Sequence, residues 1–421
     1  MRRLAITCAA AVGLVVLFWA GVIAPLGVAQ AATVPAPHRI SLQVPYARAH
    51  ATARVGHIAG VVPPLGRHEA RRQAAGAACT EPNCGLAYHG GALQSSPRIY
   101  LLLWGPGWTT SDPVYGDLYR LYSGLGEASG GWSTIDNQYS AGASTTTFAG
   151  AWQNTAAPPS VVTEADLAAQ ANAFASFEGI TGDINAQVVI ASQTGTCFSD
   201  GFAGSCGSPQ TSGGYCAWHG YSGSVAFTNL PYLLDAGRLC GENWVNSSSA
   251  GRTDGVSTVA GHEYAETVTD PDPPTGWADN ADTISGGEVA DKCAWGGESW
   301  GTLGSDPYGD ITLPTGTFAM QSLWSNTAGR CVLTTSPVLN VTKPAAQRTV
   351  RNHTVRLQVH AVTNTGTRIT FHAARLPTGL HINTSGLITG RATRLGTWTT
   401  RVTASTYAGS KTVTFTWRVV R

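Results

Sequence analysis

STVAGHEYAETVTDPDPPTGWADNADTISGGEVADKC, running from Ser257 to Cys293, is the stretch around which the rest of the chain must fold. Eight acidic residues (Glu263, Glu266, Asp270, Asp272, Asp279, Asp282, Glu288 and Asp291) precede its first base, Lys292. Carboxylates this close repel one another unless a cation sits among them. His262 and Glu266 are four residues apart, so a helix presents both on one face, with Glu263 rotated beside them. Asp254 predicts the N-cap of that helix, and Asp270-Pro271 predicts its end near Val268, because the residue before proline avoids the α region.

The spacing matches the H-E-x-x-H zinc helix with its last position changed to Glu. In such helices two imidazoles one turn apart bind zinc, and the Glu after the first His takes a proton from water. Zincins with a glutamate as third ligand place it about twenty residues on, as Glu-x-x-x-Asp. Here Glu288-Val289-Ala290-Asp291 lies at a similar distance, one residue shorter. The expected metal ligands are therefore His262, Glu266 and Glu288, with Glu263 as the base. Asp291, Asp270 and His219 are expected as outer supports or alternative ligands, and His89 is a further candidate imidazole. One His with two carboxylates suits Zn²⁺ and also accepts Mn²⁺ or Ca²⁺. Against this stand two plainer readings. The helix face could be polar and solvated. Asp270-Pro271-Asp272 and Asp279-Asn280-Ala281-Asp282 could hold structural calcium, although they lack EF-hand spacing.

A serine-hydrolase reading fails on context. Gly297-Glu298-Ser299-Trp300-Gly301 fits G-x-S-x-G, but no apolar strand precedes it and no helical pattern follows. The Trp and Tyr content would also suit sugar stacking in a binding protein, although aromatic side chains more often fill cores.

Upstream, Arg98–Trp104 is an apolar run of strand length closed by Gly105-Pro106-Gly107, and residues 185–190 read as another strand. Residues 113–128 suit a helix. Thr163-Glu164-Ala165-Asp166 opens a second with a capping-box start. Tyr215–Phe227 reads as a strand pair. These elements predict a mixed α+β core over residues 79–335. Residues 338–421 alternate apolar and polar side chains through Val355, Leu357 and Val359, then Val413, Phe415, Trp417 and Val419, with turns at Pro377-Thr378-Gly379 and Thr384-Ser385-Gly386, which predicts a small all-β sandwich.

Residues 1–31 read as a secretory signal: Arg2 and Arg3, an apolar run, then Ala29-Gln30-Ala31. No later run is apolar enough to span a bilayer as a helix. Beyond Cys8 there are eight cysteines (Cys79, Cys84, Cys197, Cys206, Cys216, Cys240, Cys293, Cys331). An even number in an exported chain favours disulfides, with neighbours in sequence paired as the working expectation. Net charge is +1, but it is segregated. Residues 32–78 hold six arginines and one acid, and read as a basic segment of low order or a propeptide. Residues 79–335 hold twenty-four acids against six bases, and residues 336–421 hold twelve bases and no acid. An acidic middle suits cation binding. Basic ends suit either docking on that middle or binding an anionic surface such as a cell-wall polymer. Nothing points to nucleic acid.

Two resemblances add to this. The run LPTGLHINTSGLITGRATRLGTW resembles the immunoglobulin-like, cadherin-like modules of bacterial surface proteins, which implies a spacer or adhesion unit over 338–421. Within residues 84–331, Tyr88-His89-Gly90-Gly91, Cys216-Ala217-Trp218-His219-Gly220, Val268-Thr269-Asp270-Pro271 and the Cys293 and Cys331 regions resemble the exordium-like, phosphate-induced secreted proteins, which implies a wall-associated protein without settled chemistry. The residues leave two functions open: a secreted zinc-type metallohydrolase, most simply a peptidase on peptide or wall substrates, or a non-catalytic wall protein with structural calcium.

Overall fold

The computed structural model describes residues 34–42, 58–65, 85–126, 131–139, 141–203, 214–279, 287–297, 308–334, 339–363, 369–406 and 409–421. The expected leader lies outside them. So do Cys79, Cys84, Cys206, Asp282 and most of the G-x-S-x-G motif.

The core is built on one seven-stranded sheet. Its strands in chain order are β1 (His38–Ile40), β2 (Ile58–Val62), β4 (Arg98–Trp104), β5 (Thr147–Asn154), β6 (Ala186–Ser192), β7 (Ala217–Tyr221) and β8 (Ala226–Leu230), and β3 (Ala87–Tyr88) stands apart. The spatial order is β1-β5-β4-β6-β8-β7-β2. The first five in that order run parallel, while β7 and β2 are antiparallel to their neighbours. Helix and strand are mixed as expected, but the sheet is mostly parallel. The reason is legible in β4 and β6: Ile99–Trp104 and all of β6 are buried, the continuous apolar run of a strand covered on both faces. Crossovers between parallel strands need room, and helices fill it. Helix α1 (Pro113–Gly124) follows β4, and α2 (Glu164–Glu178) lies between β5 and β6. Thr163 and Asp166 form the expected capping box of α2.

The segment expected to be of low order contributes both sheet edges: β1 pairs with β5, and β2 pairs with β7. The apolar Ile-Ala-Gly-Val-Val run explains β2.

Helix α3 (Asp254–Thr269) is the acidic helix, and all sixteen of its residues are buried. It packs against β2, β7 and β8 and against β11 (Gly316–Gln321), which forms a hairpin with β10 (Tyr308–Leu313) after the short strand β9 (Trp277–Ala278). The solvated polar face is thus excluded. Asp254 does not cap the helix. Its carboxylate accepts from Val245 N at 2.8 Å and Asn246 N at 2.6 Å and pins the preceding loop. The helix ends at Thr269, as Asp270-Pro271 requires.

Cys216–Cys240 and Cys293–Cys331 are disulfides, as neighbour pairing predicted, and Cys197 is also disulfide-bonded. The C-terminal region is the expected sandwich. Thr354–Gln358, Leu387–Arg391 and Leu380–Ile382 form one sheet, and Gln347–Val350, Gly409–Val420, Gly396–Thr406 and Thr370–Ala374 the other. Its core includes Val355, Ile388, Val402, Phe415 and Trp417. Every described base in it is exposed. Among the described residues no helix is long and apolar enough to cross a membrane.

Candidate metal centre

Three elements bring the acidic stretch together. Helix α3 carries His262, Glu263 and Glu266, β7 carries His219, and the turn after Gly287 carries Glu288 and Asp291. All six side chains are at most 2% exposed. Gly261 permits the packing on the other side of α3, because a Cβ there would lie 2.4 Å from Met320 Cε. That closeness sets the neighbouring Gln321 against His262.

Two triads form, sharing Glu266: His219 with Glu263 and Glu266, and His262 with Glu266 and Asp291. His219 Nδ1 lies 3.3 Å from Glu263 Oε2 and 3.7 Å from Glu266 Oε2. His262 Nε2 lies 3.0 Å from Glu266 Oε1 and 3.4 Å from Asp291 Oδ1. Ligands of one tetrahedral ion with bonds of about 2.0–2.2 Å are separated by about 3.3–3.6 Å, and those of a six-coordinate ion by about 3 Å. The observed separations are of that size.

The imidazole tautomers are fixed from behind. His219 Nε2 faces the Asp270 carbonyl oxygen at 3.2 Å, which can only accept, so Nε2 carries the hydrogen and Nδ1 turns its lone pair to the carboxylates. Gln321 Nε2 donates to Ala290 O at 2.8 Å, which turns Gln321 Oε1 toward His262 Nδ1 at 3.2 Å. Nδ1 therefore carries the hydrogen, and Nε2 faces the carboxylates without forming a hydrogen bond. Imidazoles that bind metal are oriented in this way.

The site buries carboxyl oxygens that no hydrogen bond satisfies. Glu263 Oε1, Glu266 Oε2, Asp270 Oδ2 and both oxygens of Glu288 are buried without a hydrogen-bond partner. Burial, with the neighbouring carboxylates, pushes Glu263 and Glu288 well above the usual range, and Asp270 and Asp291 to about 7. Burial lowers His219 to about 4, so it stays neutral and able to ligate. For His262 burial also acts downward, but Glu266 and Asp291 outweigh it and raise it well above its ordinary value. A proton or a metal ion must sit between His262 and these carboxylates. Lys292 does not serve, because its ammonium pairs with Asp279 at 2.8 Å. Asp282, the other end of the expected calcium loop, lies outside the described residues.

The expected trio of His262, Glu266 and Glu288 is not one cluster. Asp291 stands beside His262, while Glu288 Oε1 faces the other ring nitrogen of His219 at 3.7 Å. Both acids are buried on the turn that opens at Gly287 (φ +84). His219 joins the site, whereas His89 is exposed and bonds Ala278 O. The sequence reading missed Gln321 and Asp136. Asp136 lies in the short helix Ser133–Tyr139, fully buried with both oxygens unpartnered, and burial together with the Glu266 charge pushes it well above its usual range. It is a lone acid in a polar stretch and carries no motif.

The family model He_PIG, described as "Putative Ig domain", matches residues 336–420. The sandwich is thus an Ig-like module. No curated protein matches the chain. The titin M3 domain is 18% identical, with 21% of this chain and all of that one covered and a TM-score of 0.17. A SusE-like surface polysaccharide-binding protein of Bacteroides thetaiotaomicron is 16% identical over 25% of this chain and 21% of its own, with a TM-score of 0.18. Drosophila N-cadherin EC1-4 is 16% identical over 25% and 27%, with a TM-score of 0.18. The chain covers 17% of the length of each of two Bacteroides fragilis proteins it also matches.

Proposed function

We propose that the chain is an exported, zinc-type metal-dependent hydrolase of the peptidase kind, whose catalytic core carries an Ig-like accessory module. The observation that supports this most is the pair of imidazole nitrogens, His219 Nδ1 and His262 Nε2, each fixed from behind and turned toward buried carboxylates. Nitrogen donors favour zinc over calcium, which takes oxygen ligands. His262, Glu266 and Asp291 would hold the ion. A bound divalent ion supplies Lewis-acid polarisation of a carbonyl and acidifies water. Glu263 has its Oε1 unpartnered and would take the proton. Glu288 sits across His219 and would support its orientation.

The disulfides, the Ig-like module and the exposed bases of the sandwich suit a protein outside the cell, retained on anionic wall polymers. Salt-dependent retention on isolated walls tests that part, and retention insensitive to salt would refute it.

The burial of every proposed ligand favours a second reading, in which the ion is structural and the chain is a wall-associated protein of the exordium-like kind. Metal analysis and peptide hydrolysis with Glu263→Gln separate the two. The enzyme reading expects a wild type that cleaves peptides and a variant that still binds metal but loses turnover. A metal-bearing wild type inert toward peptides would leave the structural reading in place.

A further inference from the structure

We infer that the centre holds two divalent transition-metal cations, bridged by the carboxylate of Glu266. This deepens the single-ion reading above and rests on it.

Glu266 is the shared member of both triads, and its two oxygens divide between them. Oε1 faces His262 at 3.0 Å and Oε2 faces His219 at 3.7 Å. A carboxylate whose oxygens serve different imidazoles is the bridging arrangement of paired-ion sites, in which the ions lie about 3.5–4 Å apart. Each half adds its own imidazole and its own carboxylate to the shared Glu266. His262 Nε2 and Asp291 flank one oxygen, while His219 Nδ1 and Glu263 flank the other. Each imidazole has its own acceptor behind it, Gln321 Oε1 for His262 and the Asp270 carbonyl for His219. One ion would engage one of these prepared nitrogens and leave the other turned on a carboxylate in a dry interior, an arrangement that costs free energy.

Charge leads to the same place. Four carboxylates stand within 4 Å of the two imidazoles: Glu263, Glu266, Glu288 and Asp291. Lys292, the nearest base in sequence, is committed to Asp279. Three of the four carboxylates, Glu263, Glu266 and Asp291, belong to the two triads, and two cations would compensate that set while one would leave part of it to be neutralised by protons. Backbone N–H groups of Ala290 and Asp291 reach Glu266 Oε1 at 3.2 and 2.8 Å and hold the bridge in place. Glu263 would ligate the second ion through Oε2 and keep Oε1 for proton transfer.

The test uses the mature full-length chain loaded with Mn²⁺ alone. Metal per chain is read by native mass spectrometry, and ion–ion coupling by electron paramagnetic resonance. We expect two ions per chain and an exchange-coupled signal in the wild type. His219→Ala and His262→Ala should each retain one ion and give an uncoupled signal, and Glu263→Gln should weaken only the ion at His219. The wild-type count and coupling require no variant, so a misfolded mutant cannot obscure the answer. One ion per chain with an uncoupled signal overturns the pair and leaves the single-ion proposal standing. No bound ion overturns both.

Discussion

Gln321→Leu probes whether His262 is held for metal or is merely buried. Gln321 is 1% exposed, and its amide joins three groups: Oε1 faces His262 Nδ1 at 3.2 Å, and Nε2 donates to Ala290 O at 2.8 Å and Ser322 O at 3.3 Å. Leucine keeps the approximate volume and removes all three contacts. The His262 N–H then loses its acceptor in a dry interior, at about 1–3 kcal/mol, whereas the Ala290 carbonyl keeps its bond from Cys293 N at 2.9 Å. That loss corresponds to a melting temperature lower by roughly 2–12 °C for a core of this size. A merely structural histidine predicts that loss and nothing more. A histidine oriented for metal predicts a second effect, a fall of about 10–100-fold in divalent-ion affinity, because groups that fix a ligand's tautomer contribute on that scale. Zinc titration of the folded variant below its melting temperature reads the second effect apart from the first. A folded Gln321→Leu protein with wild-type zinc affinity would refute the assignment of His262 Nε2 as a ligand.

Three further expectations follow from the packing around the site. Burial raises Asp117 on α1 to about 7 from 3.8, so the folded state holds a proton that the unfolded state has released. Stability contributed there is intact below about pH 4 and is lost as pH rises to about 7, by an amount on the order of 4 kcal/mol. Asp117→Asn should flatten the stability profile across that window in denaturant melts, and an unchanged profile would show the group is not the cause. Opening Cys216–Cys240, which closes a separation of 24 residues, should lower stability by about 3.5 kcal/mol on the loop-entropy estimate, read as the denaturation midpoint of the double serine variant. Gly261→Ala should displace only the flexible end of Met320, and with the helix-propensity gain of alanine offsetting that shift, stability read from the denaturation midpoint should move by less than about 1 kcal/mol.

Local pattern carried a large part of this fold. The run at β4, the capping box of α2 and the Asp-Pro stop of α3 are decided by neighbours in sequence, and each is found where those neighbours place it. Period-two alternation likewise announced the sandwich. What local pattern does not contain is which strand lies beside which. The parallel pairing of β4 with β5 and β6 depends on crossovers, and a fully buried strand reads as apolar in either orientation. The site divides in the same way. His262, Glu263 and Glu266 are related by one helical turn and were readable. His219 enters through the antiparallel pairing of β7 with β8, and Gln321 through a hairpin some sixty residues on, so no spacing connects them to the motif. The choice of Asp291 over Glu288 beside His262 is made by the tertiary packing of the turn after Gly287, which no local spacing encodes.

Segment 32–78 can be a disposable propeptide or a permanent wall of the site, and β2 supplies the means to decide. Ala59 lies opposite His219 in the pairing of β2 with β7, Val62 O accepts from Cys216 N at 2.6 Å, and Pro63 O accepts from Trp295 Nε1 at 2.7 Å. β2 therefore connects the strand that bears His219 to the segment just after Asp291. Removing it uncovers the edge of β7 and frees both ligand-bearing elements at once, and an exposed edge invites strand pairing between molecules. A chain beginning at Cys79 should melt at a lower temperature, bind zinc more weakly and associate on storage. A covering propeptide predicts the reverse: an unchanged melting temperature, unchanged zinc affinity and a gain in peptide hydrolysis. Finding that gain would mean that β2 blocks the centre instead of building it, and the two outcomes cannot both occur, because the same hydrogen bonds would have to support the site in one case and be irrelevant to it in the other.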